Sequence, residues 1–303
     1  MRNISLLFLA LALAACATSE PEQEPARMTA QHPSPMTEHV RAHDRIVEQA
    51  RTGERRVLGR LLPRPVEVLL PAQAPQAQPG GILIHFHGSA HVPFAAEGPA
   101  AIASVNLGAG SSAYERPFED PEVLPALLDS LQVWTGSQNR PVTISSWSAG
   151  YGAVRAILRQ HAALIDHLIL LDGLHTDYLP AGVTLHEGGR LNTEKLEPFA
   201  DFARAAARDE KALLITHSAV FPGTYASTTE TARYLTEVTG AETSAVLAWG
   251  PVGMQLLGRA ERGGFTVLTF AGNTAPDHVD HLHALPALIN SAPEYSPFPA
   301  PRQ

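Results

Sequence analysis

Short apolar runs alternate with amphipathic stretches along most of the chain. Runs such as Ile82–Phe86 lack the polar alternation of a half-buried strand, so they predict strands that are buried on both faces. The predicted strands cover 66–70, 82–86, 102–107, 142–146, 167–171, 212–216 and 265–270, and the predicted helices cover 38–49, 123–134, 152–161, 199–208, 229–238 and 278–290. Strands that alternate with helices in this way predict an α/β fold, with a doubly wound, mostly parallel sheet and helices on both faces.

One internal segment fits neither periodicity. Residues 176–195 carry Gly182, Gly188 and Gly189 and show no sustained helical or strand pattern. We expect this segment to form a small cap insertion over the sheet edge.

The start of the chain has the pattern of an export signal. Arg2 precedes an apolar run from 4 to 15 that is too short to span a bilayer, and the run ends Leu-Ala-Ala-Cys at 13–16. This ending resembles the lipobox of bacterial lipoproteins. The resemblance implies that residues 1–15 are removed and that Cys16, the only cysteine of the chain, is acylated. An exported protein anchored by lipid to a bacterial membrane, on its periplasmic or cell-surface face, is therefore expected.

The residues after Cys16 are rich in proline and polar side chains. Such a composition buries too little apolar surface to become ordered, so 16–36 is predicted to be a disordered linker. The folded domain is predicted to cover 37–303.

Composition excludes one class of partner. The chain has 303 residues with a formal net charge of −8, and its 22 lysines and arginines are scattered without a basic run. A nucleic-acid-binding protein needs a basic patch to neutralise phosphates, so no nucleic acid is expected as a partner.

The residues at 146–150 read Ser-Trp-Ser-Ala-Gly and lie between a predicted strand and a predicted helix. A sharp strand-to-helix turn needs small residues on either side of its central position. The pattern resembles the nucleophile elbow G-x-S-x-G of α/β-hydrolases, with Ser146 in place of the first glycine. The resemblance implies that Ser148 is a nucleophile; the alternative is that Ser148 only caps the following helix.

A second segment resembles the same family. Residues 85–90 read His-Phe-His-Gly-Ser-Ala directly after a predicted strand, similar to the oxyanion-hole segment of α/β-hydrolases. The resemblance implies that the backbone N–H groups of Ser89 and Ala149 stabilise a developing oxyanion. The alternative is that Gly88 only makes a turn.

The remaining members of a triad are sought at the ends of later strands. Thr274 to Asp277 read as a capping box, which places His278 in the first turn of the last helix as the base, with His281 as the reserve. The segment 216–218 offers no carboxylate, so Asp172 is the expected acid. Asp177 is the alternate acid, and a purely structural role for Asp172 in its turn stays open.

The resemblance covers about 66–290 and implies a serine hydrolase that cleaves carboxylic esters through an acyl-enzyme, with amide or thioester bonds left open. It implies no cofactor and no metal. The expected substrate is a small-molecule or lipid-like ester, since Trp147, Tyr151, Tyr178 and the residues 221–225 predict a partly apolar pocket.

Two other functions remain open. A zinc-dependent hydrolase could use His85 and His87 together with His278, His281 and His283, which lie beside Asp277 and Asp280. A non-catalytic lipoprotein could keep the fold as a binding module. Chelation would test the first alternative, and a fluorophosphonate probe would test the second.

Overall fold

The computed structural model of the protein describes residues 43–49, 51–72, 80–136 and 140–290. The predicted signal segment 1–15, Cys16 and the linker 16–36 lie outside these residues. Among the described residues, no helix is both long and apolar enough to cross a membrane.

The described residues form twelve strands, seven α-helices and five short 3-10 helices. The strands are β1 Gly53–Leu58, β2 Val66–Pro71, β3 Ile82–Phe86, β4 Ala101–Val105, β5 Val142–Trp147, β6 His167–Leu171, β7 Tyr178–Leu179, β8 Arg190–Leu191, β9 Ala212–His217, β10 Glu242–Trp249, β11 Gln255–Arg262 and β12 Phe265–Phe270. The helices are α1 His91–Phe94, α2 Ser111–Phe118, α3 Val123–Thr135, α4 Tyr151–His161, α5 Glu197–Ala207, α6 Thr228–Thr239 and α7 Ala275–Asn290.

Ten of the strands form one sheet in the order β1-β2-β4-β3-β5-β6-β9-β12-β11-β10. The six neighbouring strands β4, β3, β5, β6, β9 and β12 pair in parallel. Antiparallel strands extend the sheet at both ends. This topology confirms the predicted doubly wound, mostly parallel sheet.

Helices cover both faces of the sheet. In β6, Leu168 and Leu170 belong to the core cluster under helices α2 to α6, whereas Ile169 and Leu171 pack with Leu285 of α7 on the other face. Because both faces are covered, neither needs polar side chains, and this explains the continuous apolar runs of the central strands.

The predicted helix at 38–49 is wrong for the residues that are described, 43–49, which form no helix. His43 Nδ1 lies 2.6 Å from Asp280 Oδ2, and Arg45 Nε donates to Asp280 Oδ1 at 3.1 Å. The backbone N–H of Ile46 donates to His283 Nδ1 at 3.1 Å. These contacts fasten the segment to α7, and tertiary hydrogen bonds of this kind outweigh a weak local helix preference.

The segment 176–195 contains the strands β7 and β8, which pair with each other in a small antiparallel sheet, and 3-10 turns at Leu185–Glu187 and Thr193–Leu196. Its role as a cap stays a prediction.

Candidate active site

Ser148 lies in a tight turn between β5 and α4. Its φ angle is 47°, in the left-handed region that favours glycine. A Cβ added to Gly150 would lie 2.4 Å from the carbonyl oxygen of Phe86, and one added to Gly173 would lie 2.3 Å from the backbone nitrogen of Ser148. The turn is thus wedged between the ends of β3 and β6, and fully buried Ser146 fits because its side chain is small.

Asp172 and His278 meet at the same edge of the sheet. Asp172 follows β6 directly, is 2% exposed and has a φ angle of 43°. His278 Nδ1 lies 2.8 Å from Asp172 Oδ2. An ionised carboxylate only accepts hydrogen bonds, so Nδ1 carries the proton and Nε2 of a neutral ring is left with a lone pair.

Ser218 supports Asp172 from the end of β9. Its backbone N–H donates to Asp172 Oδ1 at 3.1 Å, and its hydroxyl donates to Oδ2 at 2.7 Å. Burial alone would raise the pKa of Asp172, but nearby His281 and the hydrogen bonds from His278 and Ser218 outweigh it and hold that pKa well below its usual range. The carboxylate is therefore ionised at neutral pH.

Ser148, Asp172 and His278 line one cavity of about 490 Å³. The described residues that share its wall are His175, Val220, Phe221, Pro222, Tyr225, Thr228, Asn273, Thr274, Ala275 and Pro276. The structure thus brings together the three residues that the sequence singled out for a triad. Within the described residues, the wall comes from the turn at Ser148, the residues after β6, the loop after β9 with the start of α6, and the start of α7, and none of it comes from the segment 176–195.

The alternate base and acid lie elsewhere. His281 is buried, and its Nδ1 lies 2.7 Å from Thr216 Oγ1. Asp177 is exposed and forms an ion pair with Lys195. Of the two candidate pairs, His278 and Asp172 therefore have the geometry of a base and its orienting acid.

The predicted oxyanion segment follows β3, and the side chain of His85 stabilises its backbone. This ring is fully buried, and burial lowers its pKa to about 3, so it stays neutral. Its Nε2–H donates to the carbonyl oxygen of His87 at 2.7 Å, and its Nδ1 accepts from Ser145 Oγ at 2.8 Å. The backbone of His87 is held at a φ angle of 73°. Ser89 is exposed; the oxyanion-hole role of its N–H and that of Ala149 remains a prediction.

Gly88 has a structural reason of its own. Its φ angle is 113°, and a Cβ there would lie 2.8 Å from Leu282 Cδ2 of α7. The φ angle is one that glycine adopts readily and other residues rarely do, and a side chain here would also require Leu282 to move.

Trp147 plays a part that the sequence did not reveal. Its indole N–H donates to the carbonyl oxygen of His278 at 2.9 Å, and the two rings lie 4.9 Å apart. The ring of His87 stacks on the indole at 5.0 Å. Trp147 therefore holds His278 by its backbone and by its ring.

The prediction that Tyr178 lies near the pocket is wrong. Tyr178 is 1% exposed, and its hydroxyl donates to Glu230 at 2.9 Å. Its polar end is satisfied by a carboxylate on α6, which allows the ring to be buried away from the cavity. Phe221 and Tyr225 do line the cavity, as predicted, whereas Trp147 and Tyr151 are not among its described lining residues.

Two further site residues escaped sequence reasoning. Ser218 lies at the end of β9, where the sequence analysis looked for a carboxylate. Its position could have indicated a role in the site, but a serine is not a candidate acid and was not considered. His175 lies in the cavity wall, and only its place shortly after Asp172 could have drawn attention to it.

The histidines of the zinc alternative have separate hydrogen-bond partners, as described above for His85, His278, His281 and His283. Within the described chain, His43, Asp277 and Asp280 form a group whose potential ligand atoms lie within 4.8 Å of one another. Asp280 is engaged by Arg45, and Asp277 Oδ2 accepts the backbone N–H groups of 273 and 274 as the cap of α7. This arrangement confirms the predicted cap at the start of α7.

No protein-family model matches the sequence, and no curated protein matches it. Among solved structures, an esterase from Pyrobaculum calidifontis is 13% identical, with 80% of this chain and 85% of that chain covered and a TM-score of 0.47. An acetyl xylan esterase from Aspergillus awamori is 13% identical, with 75% and 97% covered and a TM-score of 0.46. An acylaminoacyl peptidase from Pyrococcus horikoshii is 14% identical, with 78% and 41% covered and a TM-score of 0.46. The strand order, the two helical faces and the turn at Ser148 define the fold of this chain as an α/β-hydrolase fold.

Proposed function

We propose that this protein is a serine hydrolase that cleaves carboxylic esters with Ser148, His278 and Asp172. The observation that carries the proposal is the 2.8 Å contact between His278 Nδ1 and Asp172 Oδ2 in a cavity that Ser148 also lines. A buried, ionised acid, a histidine oriented by it and a serine on a strained turn are the parts that nucleophilic acyl transfer requires.

In the first half-reaction, His278 Nε2 takes the proton from Ser148 Oγ as this oxygen attacks the ester carbonyl carbon. The tetrahedral intermediate carries a negative oxygen, for which the N–H groups of Ser89 and Ala149 are the proposed donors. The protonated His278 then gives its proton to the alcohol oxygen, the bond between carbon and that oxygen breaks, and the acyl group stays on Ser148.

In the second half-reaction, a water molecule takes the place of the alcohol. His278 removes one proton from the water, whose oxygen attacks the acyl carbon, and the proton returns to Ser148 Oγ as the acid leaves. Asp172 stays ionised throughout, because nearby His281 and the hydrogen bonds from His278 and Ser218 keep its pKa low, and its charge stabilises the imidazolium.

Two measurements on Ser148→Ala test the proposal. We expect wild-type protein to hydrolyse p-nitrophenyl esters and to be labelled by a fluorophosphonate probe, and we expect Ser148→Ala to lose both properties, with hydrolysis reduced by about 10⁴-fold or more. Thermal stability should change little, because the substitution removes one oxygen at the cavity wall.

Ser146→Ala is the matched control. Within the part of the chain that the structure describes, the Ser146 hydroxyl is buried and has no hydrogen-bond partner, so its loss should leave hydrolysis within a few-fold of wild type. Wild-type protein that neither turns over esters nor takes up the probe would favour the non-catalytic binding module. Activity that is lost on chelation and restored by zinc would favour the metal alternative.

A further inference from the structure

His175 is a polar group in the cavity wall that the proposed mechanism does not use. Its Nδ1 lies 2.9 Å from the backbone carbonyl oxygen of Ala226. A carbonyl oxygen can only accept, so Nδ1 carries a proton and donates it. Burial lowers the pKa of His175, and the ring is therefore neutral at pH 7 with a lone pair on Nε2. This ring nitrogen can accept a hydrogen bond but cannot donate one.

The ring of His175 is held in place from several sides. It meets the ring of Tyr151 at 5.4 Å and the ring of Tyr225 at 4.9 Å, both edge to face. The backbone N–H of Ala226 donates to the carbonyl oxygen of Thr176 at 2.9 Å, which ties the loop after β9 to the segment that carries His175. Within the described residues no hydrogen bond to Nε2 is seen. A fixed ring with an acceptor of this kind is suited to select a ligand group by direction and by hydrogen-bond type.

The rest of the cavity wall is mainly apolar. Val220, Phe221, Pro222, Ala275 and Pro276 supply hydrocarbon surface. Apart from the catalytic Asp172 and His278, the described lining residues include no Asp, Glu, Lys or Arg side chain. Charged groups would lose hydration there without gaining a partner, so the cavity favours a neutral substrate.

The other neutral polar side chains in the wall do not have this restriction. Thr228 Oγ1 accepts from the backbone N–H of Leu174, and Thr274 Oγ1 donates to Asp277. The hydroxyl of Tyr225 and the amide of Asn273 can each both donate and accept. A hydroxyl group can donate a hydrogen bond, whereas its methyl ether can only accept one. A group that accepts but cannot donate, such as His175 Nε2, therefore binds the hydroxyl and not the ether.

We propose that His175 is a specificity-determining residue whose Nε2 accepts a hydrogen bond from a hydroxyl group on a neutral, otherwise apolar ester. The preferred substrates are then hydroxylated esters, and their O-methylated and unsubstituted analogues are poorer substrates. This inference rests on the proposed esterase function of the same cavity.

The experiment compares matched esters on wild-type protein and on two isosteric variants. The first substrate set consists of p-nitrophenyl esters of 3-phenylpropanoic acid with a hydroxyl, a methoxyl or a hydrogen at ring positions 2, 3 and 4. The second set carries the same groups on the alcohol side of an acetate ester. We expect kcat/KM for at least one hydroxylated ester to exceed that of its methyl ether by about tenfold, the size of one hydrogen bond.

The two variants separate the substrate contact from the structural contact. His175→Asn places an amide nitrogen where Nδ1 donates to Ala226 and removes the Nε2 acceptor. His175→Gln can place an amide oxygen near the position of Nε2 and gives up the contact with Ala226. We expect His175→Asn to lose the preference for the hydroxyl while it still hydrolyses the unsubstituted ester, and His175→Gln to keep most of the preference.

The outcomes are distinct. A preference that survives in His175→Asn, or one that disappears in Tyr225→Phe instead, would overturn the assignment to His175. No preference in either substrate set would overturn it too, although Ser148 would still be labelled and the unsubstituted esters still hydrolysed. If wild-type protein hydrolyses no ester and Ser148 takes up no probe, the proposed function fails and this inference fails with it.

Discussion

At the scale of single residues, Asp172 shows how a carboxylate can remain charged inside the protein. Burial of an isolated carboxylate costs several kcal/mol, so an ionised one needs donors on its oxygens. Ser218 supplies two of them and His278 supplies the third. The same contacts that stabilise the charge also fix the ring of His278, so structure and proposed chemistry depend on one hydrogen-bond network.

Replacing Asp172 by Asn tests this network. Asn is almost the same size, but its amide has no charge and can donate to His278 Nδ1, which would select the wrong tautomer. We expect kcat on a p-nitrophenyl ester to fall by about 10⁴-fold while the far-UV circular dichroism spectrum stays unchanged. Asp177→Asn is the matched control, because Asp177 is exposed and paired with Lys195. Near wild-type turnover in Asp172→Asn, together with a loss in Asp177→Asn, would transfer the role to Asp177.

Three non-glycine residues around the cavity have left-handed backbone conformations: His87, Ser148 and Asp172. Each such conformation costs about 1–3 kcal/mol and persists only where the surroundings enforce it. They follow β3, β5 and β6, which are neighbours in the sheet, and they are three of the six non-glycine residues with a positive φ angle in the described part of the chain. Half of these conformations thus lie at the sheet edge that carries the candidate site.

At the scale of elements, strands that are buried on both faces could be predicted from the sequence, and exposed strands could not. The central strands β3, β5, β6, β9 and β12 are covered on both faces, and their apolar runs made them visible. The antiparallel strands β1, β10 and β11 at the two ends of the sheet were missed. They are largely exposed, and β1 and β11 carry charged residues without a continuous apolar run. Helix α2 was missed as well, since it is short and contains Pro117.

The site residues that could be predicted are those whose position depends on residues adjacent to them in the sequence. Ser148 lies in a turn whose small residues are adjacent in sequence, and Asp172 directly follows a buried strand. The contacts of Ser218, Trp147 and His175 join segments that are far apart in the chain, and no local pattern reports such contacts. The prediction of a helix failed at 43–49 for a related reason, since Asp280 and His283, far along the chain, bind these residues.

Trp147 links two elements, β5 and α7, and its substitution tests that link. Trp147→Phe keeps an aromatic face against His278 but loses the N–H donor, so we expect kcat/KM to fall by about tenfold at most. Trp147→Leu loses the donor and the ring, and we expect a larger decrease. Stopped assays on p-nitrophenyl esters measure both variants. Trp249→Phe is the control, since Trp249 on the edge strand β10 is 71% exposed. Equal activity of all three variants would show that the link does not position His278.

At the scale of the whole molecule, we propose that lipid on Cys16 anchors the protein to a bacterial membrane and that the residues after it act as a tether. The support is the apolar run that ends in the lipobox-like sequence at 13–16. Anchoring would keep the cavity near the membrane surface, where lipid-like esters are abundant.

Cys16→Ser tests the anchor. Serine cannot form the thioether to diacylglycerol, so we expect the variant to move from the detergent phase to the aqueous phase in a Triton X-114 partition, while the esterase activity of the purified protein is unchanged. Ala15→Ser is a milder change in the same motif and should leave partitioning largely intact. Detergent partitioning that is equal for wild type and Cys16→Ser would contradict the proposal.

The buried histidines make a further property of the whole molecule predictable, its response to acid. Burial lowers the pKa of His85 to about 3 and that of His283 to about 4, and it lowers the pKa values of His175 and His217 as well. An unfolded chain takes up protons on these rings near the usual pKa of 6.5, and the folded protein does not. Stability is therefore greatest above about pH 6.5 and decreases as the pH falls below it, because the unfolded state binds more protons.

His85→Gln separates one ring from the others. Gln can still donate a hydrogen bond to the carbonyl oxygen of His87, but its amide does not titrate. The contribution of residue 85 to the pH dependence of stability therefore disappears. Between pH 6.5 and 5, His85 contributes a slope that rises toward a limit of about 1.4 kcal/mol per pH unit to the free energy of unfolding, as the unfolded ring becomes protonated. Carboxyl groups with lowered pKa values, such as Asp172, contribute below this window, since their usual values lie at 3.8 to 4.5.

We therefore expect urea unfolding at pH 6.5 and pH 5 to show a smaller loss of stability in His85→Gln than in wild type. His186→Gln, at an exposed position, should behave like wild type. An unchanged slope in His85→Gln would contradict this expectation. It would mean that His85 has the same pKa in the folded and unfolded states, so that the folded protein does not keep this ring neutral.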